Sequence, residues 1–121
     1  MLRVSQLAAL ATLAVVPQLG VAQELFGSIA YSEKAREYGW ANNYSTREAA
    51  EQAALKFCRK SAADCRTVLW FRNACGALVT GPGGHGAGWA DSQTAAVNKA
   101  LKICASRSAA CAVTRSFCTG K

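Results

Sequence analysis

Six cysteines carry the most conspicuous chemistry in this 121-residue chain, and four of them share one spacing: CRKSAADC over residues 58–65 and CASRSAAC over 104–111. Paired cysteines serve thiol redox catalysis, zinc ligation or structural cross-linking. Redox pairs are usually C-x-x-C at a helix N-terminus, where the dipole lowers the thiol pKa. Structural zinc wants short paired spacings with histidines or further cysteines close by. Here six residues separate each pair and His85 is the only histidine. Cross-links are therefore the expectation, with no metal and no cofactor.

His85 lies in GPGGHGAG, residues 81–88. A glycine-rich loop can cradle phosphate, but no GK[ST] follows and the strand–loop–helix context is missing. As a general base His85 could serve Cys75 or Ser92. Cys75 is expected to be oxidised, and Ser92 has neither an elbow motif nor an evident orienting carboxylate. A solvated histidine in a flexible hairpin connection is the plainer expectation. The acidic residues are Glu24, Glu33, Glu37, Glu48, Glu51, Asp64 and Asp91, and no two of them form an obvious acid/base couple. No catalytic residue is assigned.

Recognition is what remains. Trp40, Trp70 and Trp89, with Tyr31, Tyr38, Tyr44 and Phe71, are many large aromatics for a small domain. Packing should take most of them. Any left exposed beside arginine would have the composition of a binding hot spot, so Arg36, Trp70, Arg72, His85 and Arg115 are the candidate binding residues.

The elements that must position these residues follow from a diverged internal repeat. GSIAYS-x6-GWA, residues 27–41, is echoed by GALVTG-x6-GWA, residues 76–90, which aligns Trp40 with Trp89. After each comes a polar link, an alanine-rich amphipathic run ending at Cys58 or Cys104, a second cysteine, and an extended run. Ser45 with Glu48 three residues on forms a capping box for the first helix. Ala50, Ala54, Phe57 and Cys58 share its apolar face. The second helix should run from about Ser92 to Ser106, with Ala96, Ala100, Ile103 and Cys104 on the matching face.

Strands are expected at FGSIAY, EYGWA, RTVLWF, GALVT, GAGWA and AVTRSF. The order is then ββαβ twice, an α+β domain. We expect one mostly antiparallel sheet of about six strands with both helices on one face. Each C-x6-C would join a helix end to the next strand, and a bridge across eight residues removes about 2.5 kcal/mol of unfolded-chain freedom in the entropic model. Six cysteines allow fifteen connectivities. The element order favours Cys58–Cys65, Cys104–Cys111 and Cys75–Cys118.

Residues 1–22 do not belong to this domain. One positive charge at Arg3, an apolar run broken by Pro17, and small residues ending at Ala22 describe a signal peptide cleaved there, and the run is shorter than a bilayer span. The domain is then 23–121, exported to the periplasm or beyond. It keeps thirteen basic and seven acidic residues, a net charge of +6. Outside the inner membrane that charge faces acidic proteins or anionic envelope polymers rather than nucleic acid. NYS at 43–45 matches a glycosylation sequon, relevant only in a eukaryotic host.

With these motifs together, the chain resembles the bacterial family called domain of unknown function 4189. The matching stretches are FGSIAYS at 26–32, YGWANNYSTREAAEQAALKFC at 38–58, WFRNACGAL at 70–78 and GAGWADSQTAAVNKALKIC at 86–104. Phe26 stands where family members often carry Trp, and the GPGGHG connection is this chain's own. The resemblance implies a small exported protein without an established enzymatic activity, and it carries over no catalytic residues. Three functions are therefore expected in descending order. The first is a non-enzymatic binding module, an inhibitor or immunity-type protein that occupies another exported protein. The second binds anionic envelope polymer through lysines and arginines such as Lys56, Arg59, Lys60, Lys99 and Lys102. The third is a small hydrolase around His85.

Overall fold

The computed structural model describes residues 23–120, so the signal peptide expected over 1–22 and the cleavage expected near Ala22 lie outside the described residues. The elements run β1 (Phe26–Ser32), β2 (Glu37–Tyr44), α1 (Arg47–Cys58), β3 (Arg66–Arg72), β4 (Cys75–Gly81), β5 (Gly84–Ala90), α2 (Gln93–Ala105) and β6 (Ala112–Cys118). The α+β class and the ββαβ order in each half are as the sequence leads one to expect. The sheet arrangement is corrected. The strands form two antiparallel three-stranded sheets, ordered β2-β1-β3 and β5-β4-β6. The helices do not share a face: α1 packs on β1 and β2, and α2 packs on β4 and β5.

Side-chain size explains the division. Toward its helix, each sheet presents small residues: Ala30 and Ala41 meet Ala54 and Cys58, while Ala77 and Val79 meet Ala96, Ala100 and Cys104. On the opposite faces stand Ile29, Tyr31, Phe71, Leu78 and Phe117, which form one shared cluster. One flat sheet with both helices on one side would leave that large-residue face in water. Stacking the halves face to face buries it, and burying a Leu, Ile or Phe side chain is worth about 1.5–3 kcal/mol. The result is four layers, helix–sheet–sheet–helix.

Glycines set how closely the helices lie. A Cβ on Gly39 would sit 2.2 Å from the Ala54 carbonyl oxygen, and one on Gly86 would sit 2.2 Å from the Ala100 carbonyl oxygen. At these two glycines the strands lie directly against helix backbone.

Those contacts also correct the alignment of the two halves. Ile29 pairs with Trp40 and Ala30 with Gly39, whereas Leu78 pairs with Ala87 and Val79 with Gly86. Trp40 thus corresponds to Ala87, not to Trp89. The GWA echo misleads because the second hairpin turns in two residues, 82–83, and the first in four, 33–36. A bulge in β2 opposite Gly27 adds one further residue to the first half, so the offset grows from two to three by the start of the helices. The last strands match closely: the register slips at Ile29/Ala30 on β3 and at Leu78/Val79 on β6, skipping Val68 and Thr114.

Helix caps follow the same logic with one change. Thr46, not Ser45, caps α1 and accepts from the Ala49 amide, so the Ser45–Glu48 capping box does not form. Thr46 is the last residue in extended conformation, and only there does the hydroxyl reach a free N–H. Ser92 caps α2 in the same way. Phe57 leaves the buried face and is 44 % exposed, because Gly39 brings α1 so near β2 that only alanine and cysteine fit between them.

Three bridges close the fold: Cys58–Cys65, Cys104–Cys111 and Cys75–Cys118. The first two join the end of each helix to the start of the following strand. Cys75 and Cys118 face one another across β4 and β6. The halves are further tied by Asn43, whose amide oxygen accepts from Thr119 Oγ1 at 2.9 Å and from the Gly120 amide at 3.0 Å. Both its hydrogen bonds and its place in the β2 bulge make Asn43 a structural residue.

Candidate functional site

The five candidate binding residues fall in three places. Trp70 and Arg72 lie together, Arg36 and His85 lie together, and Arg115 stands apart.

Trp70 and Arg72 are on β3, an edge strand paired only with β1. With Val68, Leu69, Phe71 and Trp89 they line a groove of about 370 Å³ between the edges of the two sheets. Leu69 and Phe71 form its floor through the inter-sheet core. Trp70 is 37 % and Trp89 48 % exposed. Cations surround these rings: the Arg47 guanidinium lies 4.3 Å from the Trp70 ring centre and Lys99 Nζ lies 5.5 Å from that of Trp89. Arg72 reaches Glu24 at 3.4 Å, an ion pair exposed on both sides and worth little in water. The repeat in the sequence aligns Trp89 with Trp40, a residue that packs against the inter-sheet core. Only the two-residue turn at 82–83, which shifts the register, could have moved Trp89 to the surface.

Arg36 and His85 meet where the two hairpin tips touch. Arg36 adopts a left-handed backbone, φ 58°, and its guanidinium donates to the Gly81 carbonyl at 2.9 Å. His85 Nδ1 lies 2.7 Å from a Glu33 carboxylate oxygen, and its ring centre is 5.1 Å from that of Tyr31. The expectation of a solvated histidine in a flexible loop is corrected. The His85 side chain is only 18 % exposed and it has an orienting carboxylate. The glycines around it serve close packing. A Cβ on Gly81 would sit 2.4 Å from Ser108 Oγ, and the Gly83 amide donates to that oxygen at 2.8 Å.

Tyr31, beneath this pair, is buried. Burial raises its phenol above the usual value near 10; Glu33 adds to the rise and Arg36 opposes it. The partners a nucleophilic mechanism would need are elsewhere. Cys75 is oxidised with Cys118. Ser92 caps α2 through the Ala95 amide, beyond the far end of β5 from His85, and a strand advances about 3.3 Å per residue.

Arg115, on β6, stacks 3.9 Å from the Trp40 ring centre, and Trp40 packs 4.9 Å from Phe117. Arg115 Nε is buried without a hydrogen-bond partner. Its place in the second half corresponds to Leu69 in the first, since these residues pair with Leu78 and Ile29. The arginine therefore lies on a packing position and shields one face of Trp40.

All six cysteines are bridged, and among the described residues no group of three or more His, Cys, Asp or Glu side chains converges as metal ligands would. No helix among the described residues is long and apolar enough to cross a membrane. No curated protein and no solved structure matches the chain. A family model does match, over residues 26–118, which spans every strand and both helices just described; the chain belongs to the family described as domain of unknown function (DUF4189).

Proposed function

We propose that this protein is a non-enzymatic binding module of the exported compartment, and that its groove between β3 and β5 takes an acidic segment of another exported protein. One observation carries this reading: two exposed tryptophans flank a groove, and the scaffold does not require Trp70. In the second half the position of Trp70 is filled by Ser116, since Trp70 pairs with Ser28 and Ser116 with the matching Ala77. The Arg72 position is filled by Cys118. The same backbone thus forms with a small polar side chain where the first half exposes a Trp.

Tryptophan and arginine in a partly desolvated groove are the residues that dominate protein–protein binding energy. Arg47, Arg72 and Lys99 around the rings favour a partner carrying carboxylates, and they would speed its approach. The rigid, triply bridged frame holds the rings without much loss of freedom on binding. An inhibitor or immunity-type role in the periplasm or outside the cell, after removal of residues 1–22, fits such a surface. The His85–Glu33 pair is better accounted for as a tie between hairpin tips than as the centre of a hydrolase, because neither Cys75 nor Ser92 is within its reach.

The test is affinity capture with the oxidised protein as bait, using envelope extract with and without prior protease treatment. A stoichiometric acidic protein should be retained, lost after protease, and reduced at least tenfold by Trp70→Ala with folding intact. Retention of a protease-resistant polymer alone, or equal capture by the Trp70→Ala variant, would overturn the reading.

A further inference from the structure

The crevice between α1 and the β2 edge is a second site, separate in residues from the Trp70–Trp89 groove. Trp40, Tyr44, Lys56, Phe57 and Lys60 line about 250 Å³ there, with Ala53 behind them. A shallower depression beside it adds Gln52 and Arg59. Tyr44 is 40 % and Phe57 44 % exposed, so packing leaves much of both rings in water. Lys60 Nζ stands 5.6 Å from the Phe57 ring centre. Among the described residues the ion pairs are Arg47–Glu51, Arg72–Glu24 and Glu33 with His85, so Lys56, Arg59 and Lys60 hold no carboxylate.

The second half again reveals what the scaffold needs. Trp40 corresponds to Ala87, and Tyr44 to Ala90 through their pairing with Phe26 and Cys75. Counting back from Cys58 and Cys104, Phe57 corresponds to Ile103; counting on, Lys60 corresponds to Ser106. Three aromatics and a lysine thus occupy positions that alanine, isoleucine and serine fill without loss of fold. Only Lys56 has a lysine, Lys102, in its place.

We propose that this crevice binds an acidic sugar unit of an anionic polysaccharide. Flat aromatic sides offer apolar surface to the C–H faces of a sugar ring, and two lysines within the same crevice take its carboxylate by charge-assisted hydrogen bonds. The volume lies just below the range of pockets for larger small molecules, which suits one ring of a chain rather than a bulky ligand. An anionic bilayer fits less well. The buried residues of α1 are Ala50, Ala54 and Cys58, and its outer side carries Glu48, Glu51 and Gln52, so the helix has no broad apolar face to sink into lipid.

The probe is oligogalacturonate titrated into the oxidised protein by calorimetry, with dextran as the neutral sugar control and phosphatidylglycerol vesicles as the lipid control. Oligogalacturonate should bind and dextran should not. The Lys56→Ala/Lys60→Ala pair should weaken binding at least tenfold, and Phe57→Leu, which keeps apolar bulk but removes the ring, at least fivefold. Lys34→Ala/Lys102→Ala removes the same charge elsewhere and should change affinity less than twofold. Equal losses from both lysine pairs, an unchanged Phe57→Leu variant, or binding to the vesicles alone would overturn the proposal. Trp70→Ala should leave this titration unchanged, so failure here is distinct from failure of the protein-binding groove.

Discussion

Tyr31 is the residue at which the two hairpin tips and the inter-sheet core meet. Its ring packs in the shared core and against His85, while Glu33 and Arg36 lie near its hydroxyl. Because the folded state holds this phenol above its unfolded pKa, the folded protein keeps the proton longer as pH rises. The contribution to stability is whole below about pH 10 and is lost as pH rises through the folded-state value. Tyr31→Phe removes the ionisation but keeps the ring. The variant should lose less of its urea midpoint between pH 8 and pH 11 than the natural protein does, measured by tryptophan fluorescence. An identical loss would show that the Tyr31 proton is not linked to folding. Sequence marks Tyr31 only as one of several large aromatics, because its neighbours Glu33, Arg36 and His85 come from two hairpins far apart in the chain.

At the scale of elements, the helix–strand contact is the tightest constraint in each half. Gly39 and Gly86 lie against helix carbonyls and amides rather than against movable side chains, so an added methyl has nowhere to go. Gly39→Ala and Gly86→Ala should each cost about 3 kcal/mol or more, the upper range for overpacking, read from urea unfolding of the oxidised protein. A cost below 1 kcal/mol in either would mean that the helix lifts away easily. Hydrophobic period and the cysteine spacings made both helices and all six strands legible in sequence, with ends within three residues. The faces were harder to read. Phe57 has the helical spacing of a core residue, and only the closeness enforced by Gly39 expels it. The capping residue moved by one for a similarly local reason: Ser45 and Thr46 have the same chemistry, and backbone conformation selects between them.

Across the whole molecule, duplication is both what could be read and what misled. The ββαβ order was plain, yet the repeated GWA tempts an alignment of Trp40 with Trp89 that the unequal hairpin turns break. Which face each sheet buries depends on a partner sheet that no single segment encodes, so one sheet and two stacked sheets share the same strand pattern. The candidate surfaces were legible only as composition: Trp70 and Arg72 stand two apart on one strand, but Trp89 joins them only through the stacking of the halves. The Cys75–Cys118 bridge closes a long loop, worth about 4 kcal/mol of unfolded-chain freedom in the entropic model, and it leaves the β3 and β5 edges open. The outer amides of an edge strand have no partner in the sheet and exchange readily unless something covers them. Amide hydrogen exchange of the oxidised protein, alone and saturated with the protein it captures, therefore tests the central claim most directly. The account predicts slowed exchange across Arg66–Arg72 and Gly84–Ala90, with α1 unchanged over residues 52–60. Protection confined to α1, or to the hairpin tips around Arg36 and His85, would contradict it.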